Sequence, residues 1–214
     1  MLMLGCKPPG RYTEQHDILF TIAEDFLGTE TDTKAFWPEA EKIHIDAWKN
    51  VTQVDGYKIS VVPKGLVKNN DNKKLFFINL GGYKKGEFDE FHYKMLVVAE
   101  SISEAQKQAK DSAFCLHHPG TSKQSLPHVD DKYGVDVEED ETYEVKEILP
   151  AYLKEDYSIL IENVLFNKEI IEDEIHLGYQ RYEKLKKKSV EETPNLSLGE
   201  EIDTHIKEFG EWPK

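Results

Sequence analysis

Four of the eight histidines in this 214-residue chain sit at equivalent positions of an internal repeat, and each of these four has a carboxylate two positions away. The pairs are Glu14 with His16, His44 with Asp46, Glu90 with His92, and His128 with Asp130. Residues i and i+2 of an extended segment project from the same face, so each pair would present an imidazole beside a carboxylate. Such groups can ligate Zn, Mn or Fe. They can also form an acid/base pair in which the carboxylate orients the imidazole.

The same pairs have a structural explanation, which the sequence by itself favours. His and Asp side chains beside tight turns commonly satisfy backbone amides and carbonyls. The two-residue patterns are also much less specific than a His-Glu-x-x-His helix. We therefore assign no catalytic residue and no metal. The candidate binding residues are Glu14, His16, His44, Asp46, Trp48, Glu90, His92, His128 and Asp130, with Trp48 included because it could wall a pocket beside His44 and Asp46.

An internal repeat relates these pairs to one another. When Leu4 is aligned with Leu80, seven of the 21 positions from 4 to 24 are identical. They are Leu4, Gly5, Gly10, Glu14, His16, Ala23 and Glu24, which fall on Leu80, Gly81, Gly86, Glu90, His92, Ala99 and Glu100. After a change of register, His44 and Asp46 fall on His128 and Asp130. Average composition would give about one or two identities in such a window, so the pattern indicates a duplication.

These residues fall within, or just before, predicted strands that lie on either side of a helix. Hydrophobic periodicity, capping residues and turn residues predict a β-β-α-β-β order for each copy. The predicted elements of the first copy are strands 1–6, 17–24, 44–48 and 57–62 and a helix over 31–43. Those of the second are strands 75–80, 93–100, 128–131 and 142–148 and a helix over 101–116 capped by Ser101 or Ser103, with a loop over 81–89 and an Asn-rich linker at 69–72.

These elements predict an α+β fold of two tandem β-β-α-β-β repeats related by pseudo-two-fold symmetry, with a mainly helical C-terminal extension. The predicted boundaries are 1–68, 74–150 and 151–214. In the extension we expect a strand over 157–162 and helices over 169–187 and 198–209. Ile171, Ile175, Tyr179 and Tyr182 would form an apolar stripe on the longer helix. That stripe could pair two chains as a homodimer, or it could pack back onto the repeats.

Composition limits the classes of partner. A net charge of −14 argues against nucleic acid, because binding a phosphate backbone needs clustered Lys and Arg. No apolar run approaches the ~20 residues that span a bilayer. The two cysteines, Cys6 and Cys115, cannot build a disulfide framework. We therefore expect a cytoplasmic protein that binds neither nucleic acid nor membranes.

Several separated motifs resemble the bacterial family catalogued as domain of unknown function 1543. They are the paired Leu-Gly, Gly and Glu-x-His pattern, His-Ile-Asp-x-Trp at 44–48 and Val-Asp-Gly-Tyr at 54–57, and the resemblance extends over roughly 1–148. The second copy departs from it, since Lys132 stands opposite Trp48. The resemblance implies one or two copies per chain, an α+β fold and a bacterial, cytoplasmic setting. It implies no activity.

Duplication without a complete catalytic constellation favours a non-catalytic binding or interaction module. The alternative is a small metal-dependent or acid/base enzyme that uses the Glu-x-His and His-x-Asp pairs. The ligand, the cofactor and the partner are not indicated by the residues themselves.

Overall fold

The computed structural model describes residues 1–40, 42–66, 72–84, 88, 90–117, 133–136, 141–164 and 173–191. This part of the chain is a mixed α+β structure with antiparallel sheets and few helices. It divides into two compact units. The first takes the described residues of Met1–Val51 and Asp173–Lys214, and the second takes those of Thr52–Glu172.

The strands and helices are numbered in chain order. The strands are β1 (Leu2–Cys6), β2 (Gln15–Leu19), β3 (His44–Trp48), β4 (Gln53–Val54), β5 (Tyr57–Pro63), β6 (Lys74–Lys84), β7 (Glu90–Ala99), β8 (Tyr133–Asp136), β9 (Thr142–Glu144), β10 (Tyr157–Asn163) and β11 (His176–Gln180). The helices are α1 (Glu30–Phe36), α2 (Ile102–His117), α3 (Val145–Ile148), α4 (Ala151–Asp156) and α5 (Tyr182–Glu191), with a 3-10 turn at Leu27–Thr29.

The first unit is built on a four-stranded sheet in the order β11-β3-β1-β2, with every neighbouring pair antiparallel. The almost continuously apolar β1 lies in its interior, as expected for a strand with neighbours on both sides. Its core contains Leu2, Leu4, Leu19 and Ile45 together with Tyr182 from α5. The Tyr182 hydroxyl lies 2.8 Å from the hydroxyls of both Thr29 and Thr33, so α5 is joined to α1 and the turn before it by buried hydrogen bonds.

The second unit contains two sheets. One has the order β7-β6-β8, with β9 also pairing with β6, and the other has the order β10-β5-β4. Helix α2 covers the first of these, and Ala105 and Ala109 pack in a core with Phe76, Ile78 and Leu80. Their small side chains let the helix lie close to the strands.

The start of α2 confirms one of the two predicted caps. The Ser101 hydroxyl accepts a hydrogen bond from the Glu104 amide at 3.2 Å. A serine oxygen in this position satisfies one of the amides that have no partner in the first turn of a helix. Ser101 is therefore the cap.

The two large sheets share one local arrangement. In each, the first strand of a hairpin lies between its hairpin partner and a strand that follows a helix. Gly5 pairs with His16 in one hairpin, and Gly81 pairs with His92 in the other. Strand β3 has the predicted bounds of 44–48, and β5 and β10 each extend one residue beyond prediction.

Two predicted elements end early. The strand predicted over 17–24 ends at Leu19, and the helix predicted over 31–43 ends at Phe36. The second difference follows from Pro38, because a proline disfavours helical geometry in the residue before it. Trp37 accordingly has a ψ of 71°.

Two predictions in the second unit are wrong. The loop predicted from residue 81 is strand as far as Lys84, because Gly81–Lys84 pair with β8 and most of them also with β7. The strand predicted over 142–148 ends at Glu144 and continues as α3. Val145 at the start of α3 and Leu149 just after its end are both buried. Their spacing of four residues places them on one face of a helix.

The helix predicted over 169–187 is wrong over 176–180 and right from 182 onward. Residues His176–Gln180 form β11 against β3, and the helix begins only at Tyr182. The Gly178 φ of 149° suits no helix. Glycine adopts such an angle without steric cost, and the edge of β3 supplies the hydrogen-bond partners of the strand.

The apolar stripe predicted on that helix is therefore divided. Tyr182 is buried, whereas Ile175 and Tyr179 are exposed. Ile171 lies outside the described residues, as do the strand predicted over 128–131 and the helix predicted over 198–209.

Candidate carboxylate–imidazole site

The site is organised by a glycine at the centre of three strands. Gly5 on β1 pairs with His16 on β2 and with His44 on β3. Directly opposed residues of neighbouring strands share a face of the sheet, so both imidazoles lie on the same side of Gly5. Asp46 is two residues beyond His44 on that face, and Glu14 comes just before β2.

The side chains of Glu14, His16, His44 and Asp46 meet at this point, and we call them the carboxylate–imidazole cluster. Asp46 Oδ2 lies 3.2 Å from His16 Nε2 and 3.3 Å from His44 Nε2. Glu14 reaches the same two nitrogens, with Oε1 at 3.0 Å from His44 and Oε2 at 3.9 Å from His16. Two imidazole nitrogens thus face the oxygens of two carboxylates.

Gly5 is required for this convergence because its missing side chain leaves the space that the cluster fills. A Cβ atom at position 5 would overlap both Asp46 Oδ2 and His44 Nε2. Any larger residue would therefore displace the imidazole or the carboxylate.

Burial is unequal across the cluster. The His44 side chain is only 6% exposed and that of Asp46 23%, whereas His16 and Glu14 are 43% and 46% exposed. Asp46 Oδ2 is itself buried, and no hydrogen bond from the described residues reaches it. The two Nε2 atoms lie 3.2 and 3.3 Å from it without forming such a bond. The cluster thus combines a fixed, unsatisfied inner half with an outer half that solutes can reach.

Strand β11 supplies neighbours that the sequence did not suggest. The Tyr179 ring lies 4.3 Å from the His44 ring between centroids. Arg181 Nε donates a hydrogen bond to the Tyr179 hydroxyl at 2.7 Å, and the guanidinium lies over the same ring. Both residues are far from His44 along the chain, so only the β3–β11 pairing brings them there.

Trp48 lies on β3 but its ring contacts are elsewhere. It meets Phe26 edge-on at 5.1 Å and stacks on His176 at 5.1 Å with an interplanar angle of 12°. It packs against the core of the first unit. These contacts account for Trp48 without a ligand.

The second set of candidates is described only in part. Glu90 begins β7, and His92 is exposed on that strand. Gly81 of β6 also pairs with Asp136 of β8. His128 and Asp130 lie outside the described residues. Convergence is therefore described for the first set alone.

The cluster offers nitrogen and oxygen donors and no thiolate. Cys6 is next to Gly5 but is buried and free. Burial, followed by the charge of Glu14, raises the pKa of its thiol, which keeps it protonated. As placed, the described side chains form no group of three or more His, Cys, Asp or Glu that could hold a metal ion. The cluster can share protons between imidazole and carboxylate, or it can rearrange around a cation.

A comparison with known families finds a match over the cluster. The family model described as Domain of Unknown Function (DUF1543) matches residues 11–61, a range that contains all four cluster residues. The match supports the expected family over that range, and it shows one copy. No curated protein matches the chain.

A solved structure has a similar fold. The crystal structure of a protein Il1583 from Idiomarina loihiensis matches with a TM-score of 0.52 over 84% of this chain and 93% of that chain. The two sequences are 20% identical, so the likeness concerns the fold alone. No helix in the part of the chain that the structure describes has the length and apolar content to cross a membrane.

Proposed function

We propose that this protein is a binding module whose ligand sits in the carboxylate–imidazole cluster. The observation that carries the proposal is the buried Asp46 Oδ2, which accepts no hydrogen bond from any described residue although two imidazole nitrogens lie beside it. A buried carboxylate left unsatisfied destabilises the fold. Functional sites commonly carry such a cost in stability.

The distribution of burial supports binding over a purely structural role. A structural ion-pair set would be aligned so that each carboxylate accepts hydrogen bonds. In this cluster the inner carboxylate is not satisfied, and the outer residues Glu14 and His16 are each nearly half exposed. A ligand can therefore enter from solvent and complete the coordination of Asp46.

We also propose that the module arose by duplication of a β-β-α-β-β unit, with copies at 1–68 and 74–150 and an extension at 151–214. The support is the sequence repeat together with the equivalent pairing of Gly5 with His16 and Gly81 with His92. We further propose the bacterial, cytoplasmic setting that the family resemblance implies, and the free thiol of Cys6 supports a reducing compartment.

The proposal is tested by Asp46→Asn in chelator-treated protein. Because Asp46 Oδ2 accepts no hydrogen bond from any described residue, removing the carboxylate charge should raise the thermal unfolding midpoint by about 2–4 °C, as expected for roughly 1 kcal/mol in a chain of this size. The measurement is the thermal unfolding midpoint near pH 7.5.

Asp17→Asn is the matched control. Asp17 is on β2 of the same sheet, and its Oδ1 already accepts a hydrogen bond from the Ile18 amide at 2.7 Å. This variant should leave the midpoint unchanged or lower it slightly. A fall in the midpoint of Asp46→Asn would identify the cluster as a structural ion-pair set and overturn the binding proposal.

Acid/base catalysis is the second candidate function, and one distance favours it. His44 Nε2 lies 3.0 Å from Glu14 Oε1, which is within the range for proton transfer. An enzyme of this kind would use the same four residues. Its distinguishing sign would be turnover that Glu14→Gln abolishes.

A further inference from the structure

We infer that the ligand of the carboxylate–imidazole cluster is a divalent first-row transition metal ion. This inference rests on the proposed binding function and adds the chemical class of the ligand. It is carried by the convergence of four donor side chains, by the separation of Asp46 Oδ2 from the two imidazole nitrogens and by the unsatisfied Asp46 oxygen.

Two of the donor separations in the cluster are close to those found around a tetrahedral ion. Metal–ligand bonds of ~2.0–2.1 Å in a tetrahedral centre place neighbouring donors about 3.3–3.4 Å apart. In the cluster the four imidazole–carboxylate separations are 3.0, 3.2, 3.3 and 3.9 Å. The two separations from Asp46 Oδ2 thus lie close to the tetrahedral value.

The side chains as placed do not form a metal centre, so binding requires a rearrangement. The exposed residues Glu14 and His16 can make it, because solvent-facing side chains change rotamer at little cost. His44 and Asp46 are held on β3 with less exposure and supply the fixed half. Gly5 lets the two fixed donors lie close to β1, because a Cβ at that position would overlap both of them.

The chemistry of the donors selects the class of ion. Two imidazoles suit Zn, Mn or Fe far better than Mg or Ca, which prefer oxygen ligands. Two carboxylates carry two negative charges and balance a divalent cation when both imidazoles are neutral. Asp46 Oδ2, to which no described group donates a hydrogen bond, would gain a cation as its partner.

The experiment uses the full chain without a histidine tag, after treatment with a chelator. Zn²⁺, Mn²⁺ and anaerobic Fe²⁺ are each titrated by calorimetry, and the thermal midpoint is followed in parallel, with Mg²⁺ as the comparison ion. At least one transition ion should bind the first-copy site and raise the midpoint, whereas Mg²⁺ should not. His44→Gln and His16→Gln should each weaken binding by about 100-fold or more, since even outer-shell changes cost roughly 10–100-fold.

The His16 variant guards against misfolding, because that side chain is 43% exposed. His176→Gln is the matched control: it removes an imidazole from the same sheet that stacks on Trp48, outside the cluster, and should leave affinity unchanged. Binding that persists in both cluster variants would overturn the inference. So would the absence of any midpoint shift with all three ions. If Asp46→Asn still raised the midpoint in that last case, the binding proposal would stand with a different ligand.

Discussion

At the residue scale, Gly5 allows two strands to bring their imidazoles together. Its amide and carbonyl belong to the central strand, and its missing side chain leaves the space in which His44 and Asp46 meet. Glycine is used here for close approach, as it often is within a strand. The cluster therefore depends on a residue that contributes no functional group.

Replacement of Gly5 by Ala tests this dependence. The added methyl group would overlap Asp46 Oδ2 and His44 Nε2, so the cluster must open. We expect the free energy of unfolding to fall by about 1–3 kcal/mol, the usual cost of overpacking. Chemical denaturation of the two proteins measures this difference.

Gly28→Ala is the comparison variant. Its added Cβ would lie 3.2 Å from the Ala23 Cβ, a much milder contact that is away from the cluster. It should destabilise the protein clearly less than Gly5→Ala. Equal stability of Gly5→Ala and the parent would mean that Asp46 and His44 move aside without cost and that the packing of the cluster does not depend on Gly5.

At the element scale, the first unit is held together by elements from distant parts of the chain. Tyr182 of α5 reaches the hydroxyls of Thr29 and Thr33, and Lys186 of α5 pairs with Glu30 of α1. Burial raises the pKa of Tyr182, which keeps its hydroxyl neutral at any ordinary pH. The junction of α5 with α1 is therefore both hydrogen-bonded inside and charge-paired outside.

The Glu30 pair predicts an acid-dependent contribution to stability. Hydrogen bonds from Lys186 and, to a smaller extent, from Lys34 lower the pKa of Glu30 below its ordinary value. A depressed carboxyl pKa means that this stabilisation is complete above the unfolded-state value of about 4.3 and is lost as pH falls through the folded-state value. Glu30→Gln should cost roughly 1 kcal/mol at pH 7 and progressively less below about pH 4.

Denaturation of parent and variant at several pH values measures this effect. Glu162→Gln is the control, because the Lys58–Glu162 pair is 3.7 Å long with both side chains more than half exposed. An exposed pair of that kind contributes little, so its loss should change stability by less than about 0.5 kcal/mol at every pH. A cost for Glu30→Gln that does not depend on pH would rule out the charge pairing as its cause.

At the scale of the whole molecule, the first compact unit combines residues from both ends of the chain. Residues after 150 contribute β10 to the sheet of β5 and β11 to the sheet of β3. They also bring Tyr182 into the core of the first unit. The extension is thus an integral part of both compact units.

A chain truncated after Pro150 should therefore fail to fold. It would expose the edges of β3 and β5. It would also remove Tyr182, the hydrogen-bond partner of the Thr29 and Thr33 hydroxyls. We expect no cooperative thermal transition and recovery in the insoluble fraction. Co-expression of residues 151–214 as a separate chain should restore soluble protein. A truncated chain that melts cooperatively at the parental midpoint would show that the extension is an appendage.

Several features were predictable because their cause is local. Strand β3 follows from its alternating residues, and α2 follows from Ser101 and from the alanines that pack in the core. The short length of α1 follows from Pro38, which disfavours helical geometry at Trp37. Strand β11 was not predictable, since its residues also suit a helix and only the edge of β3 decides between them.

The sequence by itself determined the Glu-x-His and His-x-Asp pairs and the face on which each would project, because alternation along a strand is a local property. Only the tertiary structure decided that Glu14, His16, His44 and Asp46 meet. Their meeting depends on the strand register, which aligns His16 and His44 on either side of Gly5. It also depends on the absence of a side chain at Gly5, whose consequence appears only when β2 and β3 flank the same strand. Register depends on which strands pair and on the connections between them, and the Glu-x-His and His-x-Asp pairs by themselves specify neither.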